Sequence, residues 1–272
     1  MYNTKESEQL LQEFLSYSLD GADEIFARFE SLPGAIAGKG AAPLQRYACI
    51  PGARDNKVVL VAHTDTVWDA AYGRPAQTSV HLEDGVFKGN NDKCGIGGDD
   101  RVGCAMLWAL RDSGHTLLLV NGEEKGKHGA RFLRESNPKL FRWLNRHQFM
   151  VELDLQGTGR CLFKQVDVTK RFCKYITDTL GFRDDREGGG TDLQVLCHRI
   201  CGVNISVGYH GFHRPGEYVS LAHWEHTLSC LTAFLAQEHP RFRISPVKRF
   251  RRFLNKVKVK ALLILKKFVK SK

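Results

Sequence analysis

Short, almost wholly apolar runs separated by helical patterns constrain this chain more than any other feature. Residues 57–62 (Lys-Val-Val-Leu-Val-Ala) and 115–120 (His-Thr-Leu-Leu-Leu-Val) are apolar on both faces of an extended chain, as strands are when helices cover both sides of a sheet. Residues 44–50, 149–153 and 201–207 add further β-rich stretches. Around them, apolar residues recur at helical spacing: Val102, Ala105, Met106, Ala109 and Leu110 predict a helix over 101–111, and others are predicted near 129–135, 169–180 and 221–238. At the start, Leu10, Leu11, Phe14, Leu15, Ile25, Phe26 and Phe29 mark two amphipathic helices broken at Asp20-Gly21, and Asp84-Gly85 signals a hairpin turn. The alternation predicts an α/β chain, a three-layer helix/sheet/helix with a mixed, mainly parallel sheet in a single domain.

Charge divides the chain in two. Of its 40 Lys and Arg, 13 lie in residues 241–272, which contain no acidic residue; the other 27 stand against 30 Asp and Glu. The body is therefore mildly acidic, and the net charge of +10 belongs to an appended segment. We expect a catalytic unit over 1–240 and a basic tail over 241–272. Within the tail, Phe250, Phe253, Leu254, Val257, Ala261, Leu265 and Phe268 mark one helical face between Lys and Arg, the pattern of a helix lying on an anionic membrane surface or an acidic protein. Charge alone would also suit nucleic acid, but the apolar stripe favours lipid or protein.

The eight cysteines are scattered singly, without a disulfide framework or a paired zinc motif, and the polar, acidic N-terminus is unlike a secretory signal. No apolar stretch reaches the ~18 residues of a membrane span. These features point to a cytoplasmic setting, with the tail as the means of peripheral attachment to a membrane.

Chemistry concentrates where the strands end. His63-Thr64-Asp65, Glu123-Glu124, Asp154 and the run from His210 to His213 each follow a strand candidate, and sites in open α/β sheets form outside the carboxyl ends of strands. A further cluster, Gly97-Gly98-Asp99-Asp100-Arg101, opens a helix. Singly, each has an ordinary reading: a His-x-Asp turn, a carboxylate cap, a solvated loop. Together they supply histidine and carboxylate ligands and a spare carboxylate as base, which is what a hydrolytic zinc site needs.

These residues resemble the cocatalytic dizinc metallopeptidases and amidohydrolases that include peptidase T, glutamate carboxypeptidase, aminoacylase and the glutamyl aminopeptidases. Val59-Leu-Val-Ala-His63-Thr-Asp65 is similar to the first ligand motif, Ile96-Gly-Gly-Asp99-Asp100-Arg-Val-Gly103 to the bridging-aspartate motif, and Asn121-Gly-Glu123-Glu124-Lys-Gly126 to the segment carrying base and ligand. Gly189-Gly-Thr-Asp192 and Phe212-His213-Arg-Pro-Gly-Glu217 resemble the segments that close the site. The resemblance implies two zinc ions, replaceable by cobalt or manganese. His63 and Asp154 would bind one, Glu124 and His213 the other, and Asp99 both, while Asp65 orients His63 and Glu123 acts as general base. It also implies a cis peptide between Asp99 and Asp100. Asp100 competes with Asp99, and His210 with His213; the spacings to Arg101 and Glu217 favour Asp99 and His213. Asp192 and His210 remain as residues for the substrate.

About 35 residues separate Asp154 from Asp192, too few for the lid and dimerisation domain that part of the family carries there. The implied activity is hydrolysis of a small peptide by an exopeptidase, an aminopeptidase in first place. The alternatives are a deacylase acting on an N-acyl amino acid, a carboxypeptidase, or an inactive binding module directed by its tail.

Overall fold

The structure, a computed structural model, describes residues 3–73, 76–164, 166–185, 188–245 and 247. Two helices open the chain, α1 (Thr4–Ser16) and α2 (Asp23–Glu30). The Asn3 side chain accepts from the Glu6 N–H at 3.0 Å while the Glu6 carboxylate accepts from the Asn3 N–H at 2.9 Å, a reciprocal cap that fixes where α1 starts. Its apolar stripe, Leu10, Leu11, Phe14 and Leu15, is buried.

Strands β1 (Ile36–Lys39), β2 (Arg46–Ile50) and β3 (Val59–His63) follow, then a hairpin of β4 (Val80–Glu83) and β5 (Val86–Gly89). Asp84 and Gly85 at its tip both have positive φ, +48° and +74°, as a tight two-residue turn between twisted strands requires. Next come α3 (Gly98–Ala109), β6 (Thr116–Val120), α4 (His128–Ser136), α5 (Pro138–Leu144), β7 (Met150–Leu155) and β8 (Arg160–Leu162). The chain continues through α6 (Lys170–Leu180), β9 (Arg183–Asp185), α7 (Leu193–Leu196), β10 (Gly202–Ser206), β11 (Tyr209–His210), β12 (Tyr218–Ser220) and α8 (Leu221–Leu235).

Eight strands form one sheet in the order β1-β2-β6-β3-β7-β10-β8-β9. Its centre is parallel, β6 with β3, β3 with β7 and β7 with β10, whereas β2 joins β6 and β8 joins β10 antiparallel. Helix α3 packs on β3 and β7, beside α1, and α4 packs on β2 and β6. β3 and β6 are buried along their whole length, which accounts for their lack of polar alternation. The expected three-layer α/β domain is thus the observed one. Residues between Asp154 and Asp192 supply β8, α6 and β9 at the edge of this same sheet, not a separate lid.

A second, four-stranded antiparallel sheet, β11-β12-β5-β4, lies outside the expectations. Only its β4–β5 turn carries a sequence signal; β11 and β12 have two and three residues and no readable period. The edge strand β1 falls in a stretch that reads as a Pro/Gly-rich connection. A Cβ at Gly38 would sit 2.5 Å from the Tyr47 ring, so the glycine there admits the neighbouring strand's aromatic side chain.

The boundary expected at residue 240 falls inside the body. Phe242 and Ile244 are buried in the core, and Arg243 bridges to Ile200. The amphipathic stripe of the tail lies outside the described residues. Among the described residues, no helix is long and apolar enough to cross a membrane.

Candidate metal centre

The parallel strands deliver the site residues to one edge. His63 is the last residue of β3, Glu123 and Glu124 follow β6 in a tight turn, and Asp154 is the penultimate residue of β7. Asp99 stands at the start of α3 in a non-helical turn after Gly97, whose φ of +69° is glycine's to adopt. The Asp99-Asp100 peptide is cis. His213 comes from the β11–β12 connection, so the small sheet is what carries it to the centre.

Asp99 divides its carboxylate between two groups. Its Oδ1 lies 3.0 Å from His63 Nε2, which is also 3.3 Å from Asp154 Oδ1. Its Oδ2 lies 3.1 Å from His213 Nε2, which is 2.9 Å from Glu124 Oε2. Two clusters able to hold a cation result, His63/Asp99/Asp154 and Asp99/Glu124/His213, sharing Asp99. The equivalent-looking neighbours are employed otherwise. Asp100 accepts the His63 and Gly103 N–H groups at 3.1 Å each, and His210 bonds His223 at 2.9 Å and stacks on Tyr218.

Asp65 holds the first motif to the base segment. It accepts the N–H groups of Gly122, Glu123 and Glu124 at 2.6, 3.1 and 3.2 Å and the Tyr72 hydroxyl at 2.6 Å. Its Oδ1 is 3.4 Å from His63 Nδ1, while its own carbonyl oxygen is nearer that nitrogen, at 3.0 Å. Burial opposes the Asp65 charge, yet the bonds from His63 and Tyr72 outweigh it and hold the carboxyl at about 2.

Electrostatically the edge is short of positive charge. Burial and the charge of Asp99 push Asp154 well above the usual carboxylate range, and the same two causes bring Glu124 to about 7. Burial opposes protonation of both histidines, but their carboxylate neighbours raise His63 well above its ordinary value and His213 to about 10. Asp99 Oδ1, Glu124 Oε1 and His213 Nε2 are buried without a hydrogen bond among the described residues. Lone pairs converging in this way, on imidazole and carboxylate donors, fit a pair of divalent cations.

A cavity of about 500 Å³ opens over the centre, bounded by Leu155, Leu162, Phe212 and the Gly188–Gly190 stretch. Neither Asp192 nor His210 lines it. Asp192 is fully buried; its N–H donates to Glu152 at 2.9 Å, and its carboxylate has no hydrogen bond among the described residues.

Three residues of the centre have no role assigned from the sequence. Glu217, which served there only to mark the spacing from His213, accepts the N–H groups of Gly97 and Asp99 at 2.9 and 3.1 Å, fixing the Asp99 turn. Lys127 places its ammonium 3.0 Å from Glu123, and Glu152 lies wholly buried two residues before Asp154; nothing in their local pattern marks either.

The Peptidase family M28 model matches residues 47–180, from β2 through α6 and just under half of the chain. Solved structures of similar fold include the aminopeptidase PepT from Bacillus cereus, with 14% identity, a TM-score of 0.65 and coverage of 86% of this chain and 99% of that one. A tripeptidase from Staphylococcus aureus has 13% identity and a TM-score of 0.61, with 87% and 100% covered. An aminopeptidase from the archaeon Desulfurococcus kamchatkensis has 11% identity and a TM-score of 0.58, with 85% and 95% covered. No curated protein matches by sequence. The ordered motifs, the sheet and the partial family match are all consistent with the metallopeptidase superfamily that the sequence resembles.

Proposed function

We propose that the chain is a two-zinc exopeptidase that removes single residues from the N-terminus of small peptides, with residues 246–272 as an appendage that attaches it to an anionic membrane surface. The observation that carries this reading is the division of the Asp99 carboxylate, one oxygen toward His63 and Asp154 and the other toward His213 and Glu124. His63, Asp154, Asp99, Glu124 and His213 would hold the two ions. Bound there, the ions would polarise the scissile carbonyl and increase the acidity of the attacking water.

The chain's own residues supply the remainder. Glu123, beside the cavity and outside both clusters, takes the proton of the attacking water and returns it to the departing amine, a role worth ~10² to 10⁴-fold. Asp65 fixes both His63 and the Glu123 turn, so ligand and base keep their relative positions when substrate enters. Leu155, Leu162 and Phe212 offer an apolar wall to a substrate side chain.

The test combines metal analysis with product mapping. Protein loaded with zinc should carry two ions per chain and should shorten a mixed peptide library by single residues from the N-terminus. Loss from the C-terminus would select the carboxypeptidase reading, release of an acyl group the deacylase. A zinc-loaded chain that cleaves none of these overturns the enzyme assignment.

A further inference from the structure

Lys127 is the one cation ion-paired with Glu123 among the described residues, and no motif assigns it. Its Nζ stands 3.0 Å from Glu123 Oε1, with 14% and 9% of the two side chains exposed. The main chain joins the same residues, since the Lys127 N–H donates to the Glu123 carbonyl at 3.2 Å. Lys127 also has a φ of +60°, the left-handed region that few residues other than glycine adopt.

Gly190 lies against the pair: a Cβ there would come 2.5 Å from Lys127 Nζ and 3.4 Å from Glu123 Oε1, so a larger residue would displace the ammonium from its present place. Burial disfavours the ammonium, but Glu123, with Asp192 and Glu152 behind it, outweighs that and raises its pKa.

We infer that Lys127 is a positioning residue, holding one oxygen of the Glu123 carboxylate so that the other is kept for the proton of the attacking water. The inference rests on the reading of Glu123 as base. An unheld glutamate spreads over several rotamers, and a displacement of about 1 Å at a reacting group can cost ~10²-fold in rate.

Four proteins separate the two ideas: wild type, E123Q, K127A and the double variant, each assayed for kcat, KM, zinc content and thermal midpoint on the library peptide that wild type cleaves best. K127A should lose ~10 to 10²-fold in kcat with KM within about twofold and zinc unchanged. Added methylammonium should restore part of the K127A rate, which a merely structural defect would not allow. In the E123Q background, K127A should cost nothing further. If K127A does not fold, K127Q takes its place in the same comparison. Wild-type kcat in K127A, or a further loss in the double variant, overturns the proposal. A raised KM at constant kcat does so too, and makes Lys127 an anchor for an acidic group of the substrate. Wild-type kcat in E123Q overturns the base reading itself, whatever K127A does.

Discussion

The two ends of the central sheet both gather histidines, and they treat them oppositely. At the carboxyl ends of the strands, His63 and His213 face Asp99, Asp154 and Glu124, and their pKa values rise. At the other end, His115, His147 and His239 face main-chain groups, hydroxyls and aromatic rings, and their pKa values fall. His115 Nδ1 accepts the Val58 N–H at 3.1 Å, so its other nitrogen donates to the Leu235 carbonyl at 2.9 Å and the ring is held neutral. His239 packs within 4.3 Å of the Phe234 ring centroid and takes the Tyr175 hydroxyl at 2.8 Å. Burial alone therefore does not make a histidine functional. In the proposed centre the carboxylates around it make the difference, because together they form clusters that could hold a cation.

The largest effect should come from Asp99→Asn. Removing the shared carboxylate charge should leave at most one zinc per chain and reduce hydrolysis by ~10² or more. His147→Gln, at the neutral end, should change neither quantity; equal losses from both variants would erase the distinction between the ends. Asp65→Asn should act next most strongly. It weakens a partner of the ligand and the turn that carries the base, and about a 10 to 100-fold loss of zinc affinity or activity is expected, read by competition with a chelator.

Stability against pH tests the neutral end. Burial, then the charges of Lys57 and Arg241, hold His147 at about 4, below the 6.5 of an unfolded chain. Between those values the unfolded state binds the extra proton, so this stabilisation is complete above pH 6.5 and is lost as pH falls toward 4. Wild type should exceed His147→Gln in unfolding free energy at pH 7.5, and the gap should shrink toward pH 4.5 by up to about 3 kcal/mol. A gap independent of pH would show that His147 does not titrate with unfolding. The smallest effect on chemistry should follow deletion of residues 246–272: kcat within about twofold of wild type, together with loss of salt-sensitive binding to phosphatidylserine vesicles. Equal vesicle binding by both forms would remove the tail from the attachment proposal.

What could be read beforehand follows from locality. β3 and β6 declared themselves because burial on both faces leaves an apolar run without polar alternation, and the clusters after them marked the site edge. Asp99 and Asp100 are adjacent letters of the same type, told apart beforehand only by the spacing to Arg101; the backbone turns one toward the histidines and the other toward main-chain amides. Glu152 sits among apolar residues of β7 and has meaning only beside Thr191 and Asp192, forty residues away in the chain and adjacent across the fold. Lys127 follows its motif immediately, but its contact depends on a left-handed backbone that no composition rule foretells.

The centre is also lopsided. The His63 and Asp154 side chains are 1% and 8% exposed, whereas that of His213, hung from a hairpin of short strands, is 37% exposed. Two ions held by such a frame would not exchange alike. The one on the His213 side would meet chelators and competing metals first, while the His63 side would retain its ion for longer. Stepwise depletion would thus pass through a half-loaded species with its remaining ion on the inner side, and a mixed-metal enzyme could be prepared by order of addition alone.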